Sequence, residues 1–389
     1  MLRHGTRALA RRATRTAASP HLVACESTPA AVAAANGSSM AIGAPRSFAS
    51  TSRVRLDSHS HSPPPSSSKT GSAPFSSIHP SEIEHFSRLS SQWWDEHGEF
   101  GLLHAMNPAR IQFMREKLDE VWGWEAAEAQ VRAHSSGGAG GGSEPGAEAS
   151  GPTPGRVRFL EGLDVADVGC GGGLLSESLA RLGARTTGID ASSSNIGIAT
   201  THAAKDPLLS RPHPLGGPCL TYRHSTAEDV LAEGAQFDIV CAMEVIEHVN
   251  GPAEFLRCLD KLVKPGGHIF LSTIARTPLS YFLTIFMAEH LLRLVTPGTH
   301  THSQYINPDE IVAFFQNDLK WFHPHQQGQQ GQQGGQRPQR LIYETRGTAY
   351  LPWKSSWTLA PSGTNWPGTQ ECNYFFWARK PHLAVNGAN

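Results

Sequence analysis

The 389-residue chain has six cysteines, Cys25, Cys170, Cys219, Cys241, Cys258 and Cys372, and none stands in a CxxC pair. That spacing excludes a disulfide framework and a cysteine zinc site, and it suits a reducing compartment. Net charge is also lacking: 33 Lys and Arg against 34 Asp and Glu leave a formal charge of -1. No global basic field draws such a chain to nucleic acid, so no nucleic-acid partner is expected. No apolar stretch reaches the ~20 residues needed to span a bilayer. The greasiest one, Pro278 to Val295, is broken by Glu289, His290 and Arg293. No internal repeat is visible. What the chain has in excess is glycine (38) and proline (27), clustered in places, which predicts a folded part shorter than the whole.

No acid appears before Glu26, whereas Arg3, Arg7, Arg11, Arg12 and Arg15 punctuate a Leu- and Ala-bearing start. Basic, Ser/Ala-rich and acid-poor is the pattern of an organellar transit peptide, and the arginine density favours mitochondria. The alternative is a disordered basic tail. "RSFAS" (Arg46 to Ser50) resembles a mitochondrial processing site. The expected organisation is a transit peptide over 1–48, a disordered linker over 49–78 and one folded domain over 79–389. Low-complexity inserts interrupt that domain at 132–153 and 323–340.

The domain opens with a helical period, Ile83, Phe86, Leu89 and Trp93, behind a capping-type Ser81. A second helix is expected from Asn107. "LDVADVGCGGGLLSESLARLGARTTGID", Leu163 to Asp190, reads as strand, glycine-rich turn, helix and strand. "CLTYRH", "FDIVCAM" and "GGHIFLST" supply three more strands with helices between them. After the Gln/Gly tract, "LIYETRGTAYLPW" and "CNYFFWARK" read as two final strands. Strands alternating with helices predict a doubly wound, mostly parallel sheet.

The turn is Asp167-Val-Gly169-Cys-Gly171-Gly172-Gly173-Leu174. A dinucleotide fingerprint, G-x-G-x-x-G/A, requires a small residue where Leu174 stands. The nicotinamide oxidoreductase reading is therefore disfavoured. G-x-G-x-G after an acid resembles the first motif of S-adenosylmethionine-dependent methyltransferases. Glycines let the backbone approach the methionine part of that cofactor, and Asp190, closing the second strand, is placed to accept the ribose hydroxyls. Glu228 or Asp229 is a candidate for the adenine amino group.

"WWDEHGEFGLLHAMNPARIQFM", "GTHTHSQYINPDEI" and "CNYFFWARK" resemble segments of the ubiquinone-biosynthesis O-methyltransferases, over roughly 80–320 and 343–380. The resemblance implies a class I, Rossmann-like fold with a mostly parallel seven-stranded sheet and a helical lead-in. It implies a polyprenylated phenol as acceptor, at the dihydroxy-polyprenylbenzoate and demethylubiquinol stages. By motif position it implies cofactor contacts at Arg110, Gly169, Gly171, Asp190 and Met243. It further implies magnesium at Glu244, Glu247 and His248, and partners in a quinone-synthesis complex. The residues themselves leave the role of "MEVIEH" open. If this stretch is helical, spacings of three and four put Glu244, Glu247 and His248 on one face, where they could ligate a divalent ion. Glu247 and His248 are equally candidates for metal-free catalysis, with His248 as base, or for bracing the loop. Tyr281, Phe282, Ile285 and Phe286, if outward, would rest a helix on the matrix face of the inner membrane; the alternative is a core or lid helix. The rival functions are a carbon-methylating quinone enzyme and a non-catalytic scaffold.

Overall fold

The computed structural model describes residues 76–136, 157–291, 295–322, 342–363 and 368–382. These residues belong to one compact unit. The expected transit peptide lies outside them, as do most of both low-complexity inserts and residues 49–75 of the expected linker. The linker's last residues, by contrast, are held. Ser77 is buried, its N–H donates to Glu228 Oε1 at 3.1 Å, and its carbonyl accepts from the Asn250 N–H. The described fold therefore includes residues 76–78 of the expected linker.

Helix α1 (Pro80–Leu89) begins on a proline, whose fixed φ and missing N–H suit the first helical position. Ser81 is not its cap. The N-cap is His79, and the Ser81 hydroxyl bonds the His79 ring instead. A short 3-10 turn, Ser90–Gln92, separates α1 from α2 (Gly101–Ser136). That helix starts ahead of the expected Asn107 and runs into the first insert, carrying Pro108 inside it.

The core then alternates as the periodicity predicts: β1 (Asp164–Val168), α3 (Leu174–Arg181), β2 (Arg185–Asp190), α4 (Ser193–Ala203), β3 (Leu220–His224), α5 (Ala227–Ala232), β4 (Phe237–Met243), α6 (Pro252–Leu262) and β5 (Val263–Ile274). Pro265, Gly266 and Gly267 lie within the start of β5, where the register with β4 shifts. Next come α7 (Pro278–Ser280), a π-helix over Tyr281–Leu291, and α8 (Pro308–Asn317). The chain closes with β6 (Tyr343–Leu351), β7 (Ser356–Leu359) and β8 (Asn373–Arg379).

The strands order β3-β2-β1-β4-β5-β8-β6-β7. The first five run parallel, and β8 enters antiparallel between β5 and β6. The sheet is the expected mostly parallel one with one strand more than seven. The additional strand, β7, hairpins onto β6. Side chains alternate across the sheet. In β8, Tyr374, Phe376 and Ala378 join the layer with α5, α6 and α8, whereas Phe375 and Trp377 join the layer with α2 and α3. A sheet covered on both faces explains the unbroken apolar run over residues 239–243 of β4.

Candidate functional site

The carboxyl ends of β1, β2, β3 and β4 open into one cavity of about 1070 Å³. Doubly wound sheets bind ligands in that position. The volume exceeds the ~300–1,000 Å³ usual for one small ligand, so two molecules can share it.

Gly169 and Gly171 form the floor after β1, both with left-handed φ, 72° and 53°. A Cβ on Gly169 would lie 2.5 Å from Val245 Cγ2, and one on Gly171 2.2 Å from Trp93 Cζ2. Neither conformation nor space admits a side chain. Trp93 stacks on Phe100 at 3.8 Å and donates from Nε1 to Asn195 Oδ1 at 3.0 Å. The Trp-Trp-Asp segment is thus the wall facing the glycine loop, a role its sequence alone does not show.

Asp190 ends β2 with its carboxylate inside the cavity rim. It accepts N–H bonds from Gly171 (2.9 Å) and Ser192 (2.8 Å) and one from Asn195 Nδ2 (3.3 Å). Burial raises its pKa against those donors. An ionised carboxylate has about four acceptor sites, so capacity for a ligand hydroxyl is left. Met243 lines the cavity at the end of β4. Asp229 does not face a ligand: it closes a capping box with Thr226 at the start of α5. Glu228 has Oε1 taken by Ser77, and its Oε2 is buried without a hydrogen-bond partner among the described residues.

Arg110 projects from α2 into the same cavity and is 4% exposed. Its Nε and Nη2 are buried with no hydrogen-bond partner among the described residues. Burial lowers its pKa, opposed by the charges of Glu244 and Asp167. A buried guanidinium with a free edge is costly unless an anion completes it. Asp167 is itself raised to about 6 by burial, although the Ser176 hydroxyl donates to it at 2.6 Å.

The "MEVIEH" residues do not form an α-helix. Glu244 takes a left-handed φ of 57°, and Ile246–His248 make a single 3-10 turn. The expected helical face of Glu244, Glu247 and His248 is therefore absent. Among the described residues no group of three or more His, Cys, Asp or Glu stands together so as to hold a metal ion. All three nonetheless line the cavity. Glu247 accepts from the Thr273 hydroxyl at 2.9 Å, and burial and the neighbouring Glu244 raise it to about 7. His248 Nδ1 pairs with Glu82 Oε2 of α1 at 3.0 Å. Burial alone would lower the His248 pKa; the Glu82 bond and the charges of Glu247 and Glu244 overcome it and raise it. Glu244 Oε1 is buried with no hydrogen-bond partner among the described residues. Glu82, lying 166 residues from His248, is the partner that sequence reading misses.

A family model described as a methyltransferase domain matches residues 110–318. A mitochondrial ubiquinone biosynthesis O-methyltransferase of Schizosaccharomyces pombe is 36% identical over 312 residues, covering 79% of this chain and 89% of the relative. The Caulobacter vibrioides ubiquinone biosynthesis O-methyltransferase is 43% identical over 247 residues, 63% of this chain and 83% of that relative. The Roseobacter denitrificans enzyme of the same name is 38% identical over 239 residues, 61% and 81% respectively. With this cavity behind a G-x-G-x-G turn, and relatives matched along most of their length, the chain belongs to the S-adenosylmethionine-dependent ubiquinone biosynthesis O-methyltransferases.

Proposed function

We propose that the chain methylates one hydroxyl of a polyprenylated catechol in ubiquinone synthesis, at the dihydroxy-polyprenylbenzoate and demethylubiquinol stages. The observation that carries this reading is the single cavity, which joins the glycine loop and Arg110 to Glu247, His248 and the apolar walls of α1 and the π-helix.

S-adenosylmethionine, when bound, supplies an electrophilic methyl group on a sulfonium. Arg110 gives its free guanidinium edge to the methionine carboxylate. Gly169 and Gly171 leave the backbone bare beneath the methionine part, Asp190 accepts the ribose hydroxyls, and Met243 closes the wall beside them. The acceptor hydroxyl loses its proton to His248, whose Nδ1 is oriented by Glu82 so that Nε2 is the working nitrogen. The freed oxygen forms its bond to the methyl carbon as the carbon–sulfur bond breaks, leaving a methyl ether and a thioether. Holding the two reactants in line is worth ~7–11 kcal/mol.

The carboxylates suit a divalent cation such as Mg2+: Glu247 is buried, Glu244 is half-buried with an Oε1 that has no partner among the described residues, and the two repel each other. His248 as placed does not join them, because Glu82 holds its Nδ1. Glu244, Glu247 and a released His248 are the residues that would hold the ion, which would polarise the catechol oxygens.

The apolar outer side of the π-helix supports attachment to the matrix face of the mitochondrial inner membrane, beside partners of a quinone-synthesis complex. Tyr281, Phe282 and Phe286 are about half exposed, and Phe282 stacks on Phe286 at 5.5 Å. Ile285 is only partly exposed, whereas Leu283 and Leu291 are exposed, so the outward apolar face differs in membership from the one the sequence suggests. No helix among the described residues is long and apolar enough to cross a membrane.

The deciding experiment incubates protein lacking residues 1–48 with labelled S-adenosylmethionine and a short-tailed prenyl dihydroxybenzoate, with and without EDTA. Methyl ether is expected, and its loss in Glu247→Ala or His248→Ala with cofactor binding kept supports their roles. EDTA-resistant product assigns the proton to His248 alone. No product from the unmodified protein overturns the reading.

A further inference from the structure

The cavity carries a second carboxylate–imidazole pair that the reaction above does not use. Glu289 lies on the π-helix and His300 in the following loop. The Glu289 carboxylate is 2% exposed and accepts three bonds: from the Gly298 N–H at 2.8 Å, the His300 N–H at 2.9 Å and His300 Nδ1 at 2.9 Å. Burial works to raise Glu289, and these donors more than offset it, so it is held ionised.

The local geometry explains how a carboxylate comes to be there. In a π-helix, residues five apart stack on one face. Thr284 and Glu289 are five apart and both buried, while Tyr281, Phe282 and Phe286 stay outward. The Thr284 hydroxyl meets Tyr305 Oη at 2.7 Å, and the Tyr305 ring packs edge-on against His300 at 6.3 Å. Tyr305 feels the charges of both Glu247 and Glu289. The pair therefore shares one electrostatic neighbourhood with the loop after β4.

With Nδ1 committed to Glu289, the ring's remaining polar atom is Nε2, and His300 is a wall residue of the cavity. Among the described residues Nε2 has no partner. Apart from Arg110, His79 and His248, the other charged groups lining the cavity are acidic: Asp167, Asp190, Glu82, Glu99, Glu244 and Glu247. An aromatic carboxylate is repelled by them, and Arg110 serves the cofactor. Leu283, Met287 and Ala288 beside His300 are apolar and suit the ring and the root of its tail.

We propose that His300, held by Glu289, is the positioning residue that binds the ring carboxylate of the benzoate-stage acceptor and so distinguishes it from the carboxylate-free quinol-stage acceptor. The inference rests on the catechol reading given above. In its cationic form the imidazole presents an Nε2–H to the carboxylate, a charge-assisted bond anchored on its far side.

The test uses two acceptors with the same short prenyl tail, one a dihydroxybenzoate and one the matching catechol without a carboxylate. Turnover is measured together with calorimetric binding of each acceptor to protein loaded with S-adenosylhomocysteine. His300→Phe should raise KM and Kd for the benzoate by about tenfold or more, the ratio one charge-assisted hydrogen bond sets. Its kcat and the constants for the carboxylate-free acceptor should stay near those of the unmodified protein. His300→Gln, which keeps an N–H, should recover part of the loss, and Glu289→Gln should show a weaker form of the same selectivity. Equal loss for both acceptors would mean that the pair only latches the loop, and would overturn the inference. Unmodified protein that binds the benzoate selectively through His300 but methylates neither acceptor would sink the catalytic reading and leave this one standing. Failure to bind either acceptor overturns both.

Discussion

Gly171→Ala tests whether the glycine loop is shaped by the wall above it. Two costs add. The φ of 53° puts an L-residue in the left-handed region, worth about 1–2 kcal/mol. The new methyl would lie 2.2 Å from Trp93 Cζ2, and that ring is pinned by Phe100 and by its bond to Asn195. Forcing a methyl into a packed site costs about 1–3 kcal/mol more. The sum, about 2–5 kcal/mol, should appear as a fall in denaturation midpoint and as weakened S-adenosylmethionine binding by calorimetry. A double-mutant cycle separates the two parts. In a Trp93→Ala background the collision is gone, so Gly171→Ala should cost only the backbone share, about 1–2 kcal/mol. Gly123→Ala is the control: its Cβ meets nothing within 4 Å inside α2, and a gain of about 0.5–1 kcal/mol is expected. Equal losses for Gly171→Ala in both backgrounds would refute the claim that Trp93 shapes the loop.

Arg110→Met should weaken S-adenosylmethionine binding by more than tenfold, because bonds to a charged group are worth about 1.5–3 kcal/mol each; calorimetry showing an unchanged Kd would remove Arg110 from the cofactor site. Asp167 has a folded pKa of about 6 against an ordinary 3.8, so its protonated form favours the fold. Its stabilisation is complete below the ordinary value and is lost as pH rises through about 6, by up to roughly 3 kcal/mol at 1.36 kcal/mol per unit. Asp167→Asn should flatten that part of a stability–pH profile, and an unaltered slope would assign the change elsewhere. Phe282→Ser with Phe286→Ser should abolish flotation with anionic liposomes while leaving the melting curve unchanged; retained flotation counts against a membrane-facing π-helix.

What was legible in the sequence is what neighbouring residues encode. The β1–α3–β2 unit came out between Leu163 and Asp190 because a glycine turn, an alternating apolar run and a closing acid lie within one short window. Arg110, Asp190 and Met243 were found by motif position, and they do line one cavity. The three-and-four spacing of "MEVIEH" is compatible with a helix, but the local backbone decides against it: a left-handed Glu244 breaks the helix before it starts. The extra strand β7 was hidden in a stretch rich in Pro, Ser and Trp, where only the partner β6 decides pairing. Glu82 on His248, Trp93 over Gly171 and Glu289 on His300 were out of reach for a different reason: each is a tertiary meeting with no periodic trace.

Helix α2 carries Arg110 ahead of the whole sheet in the chain, yet it leans on strands made last. Phe113 packs against Phe375, Trp357 Nε1 donates to the Leu102 carbonyl at 3.0 Å, and buried Lys117 pairs with Glu344 while Arg346 reaches Glu116. During synthesis, then, the glycine loop can be completed well before the arginine that faces it is fixed. A chain ending within the Gln/Gly tract has its parallel strands and, in Val165, Ile239 and Phe270, only part of the seat of α2, and Lys117 keeps Glu120 but lacks Glu344. A chain cut within that tract would therefore carry the glycine signature in full while lacking the Phe375 and Glu344 contacts that brace the helix bearing Arg110.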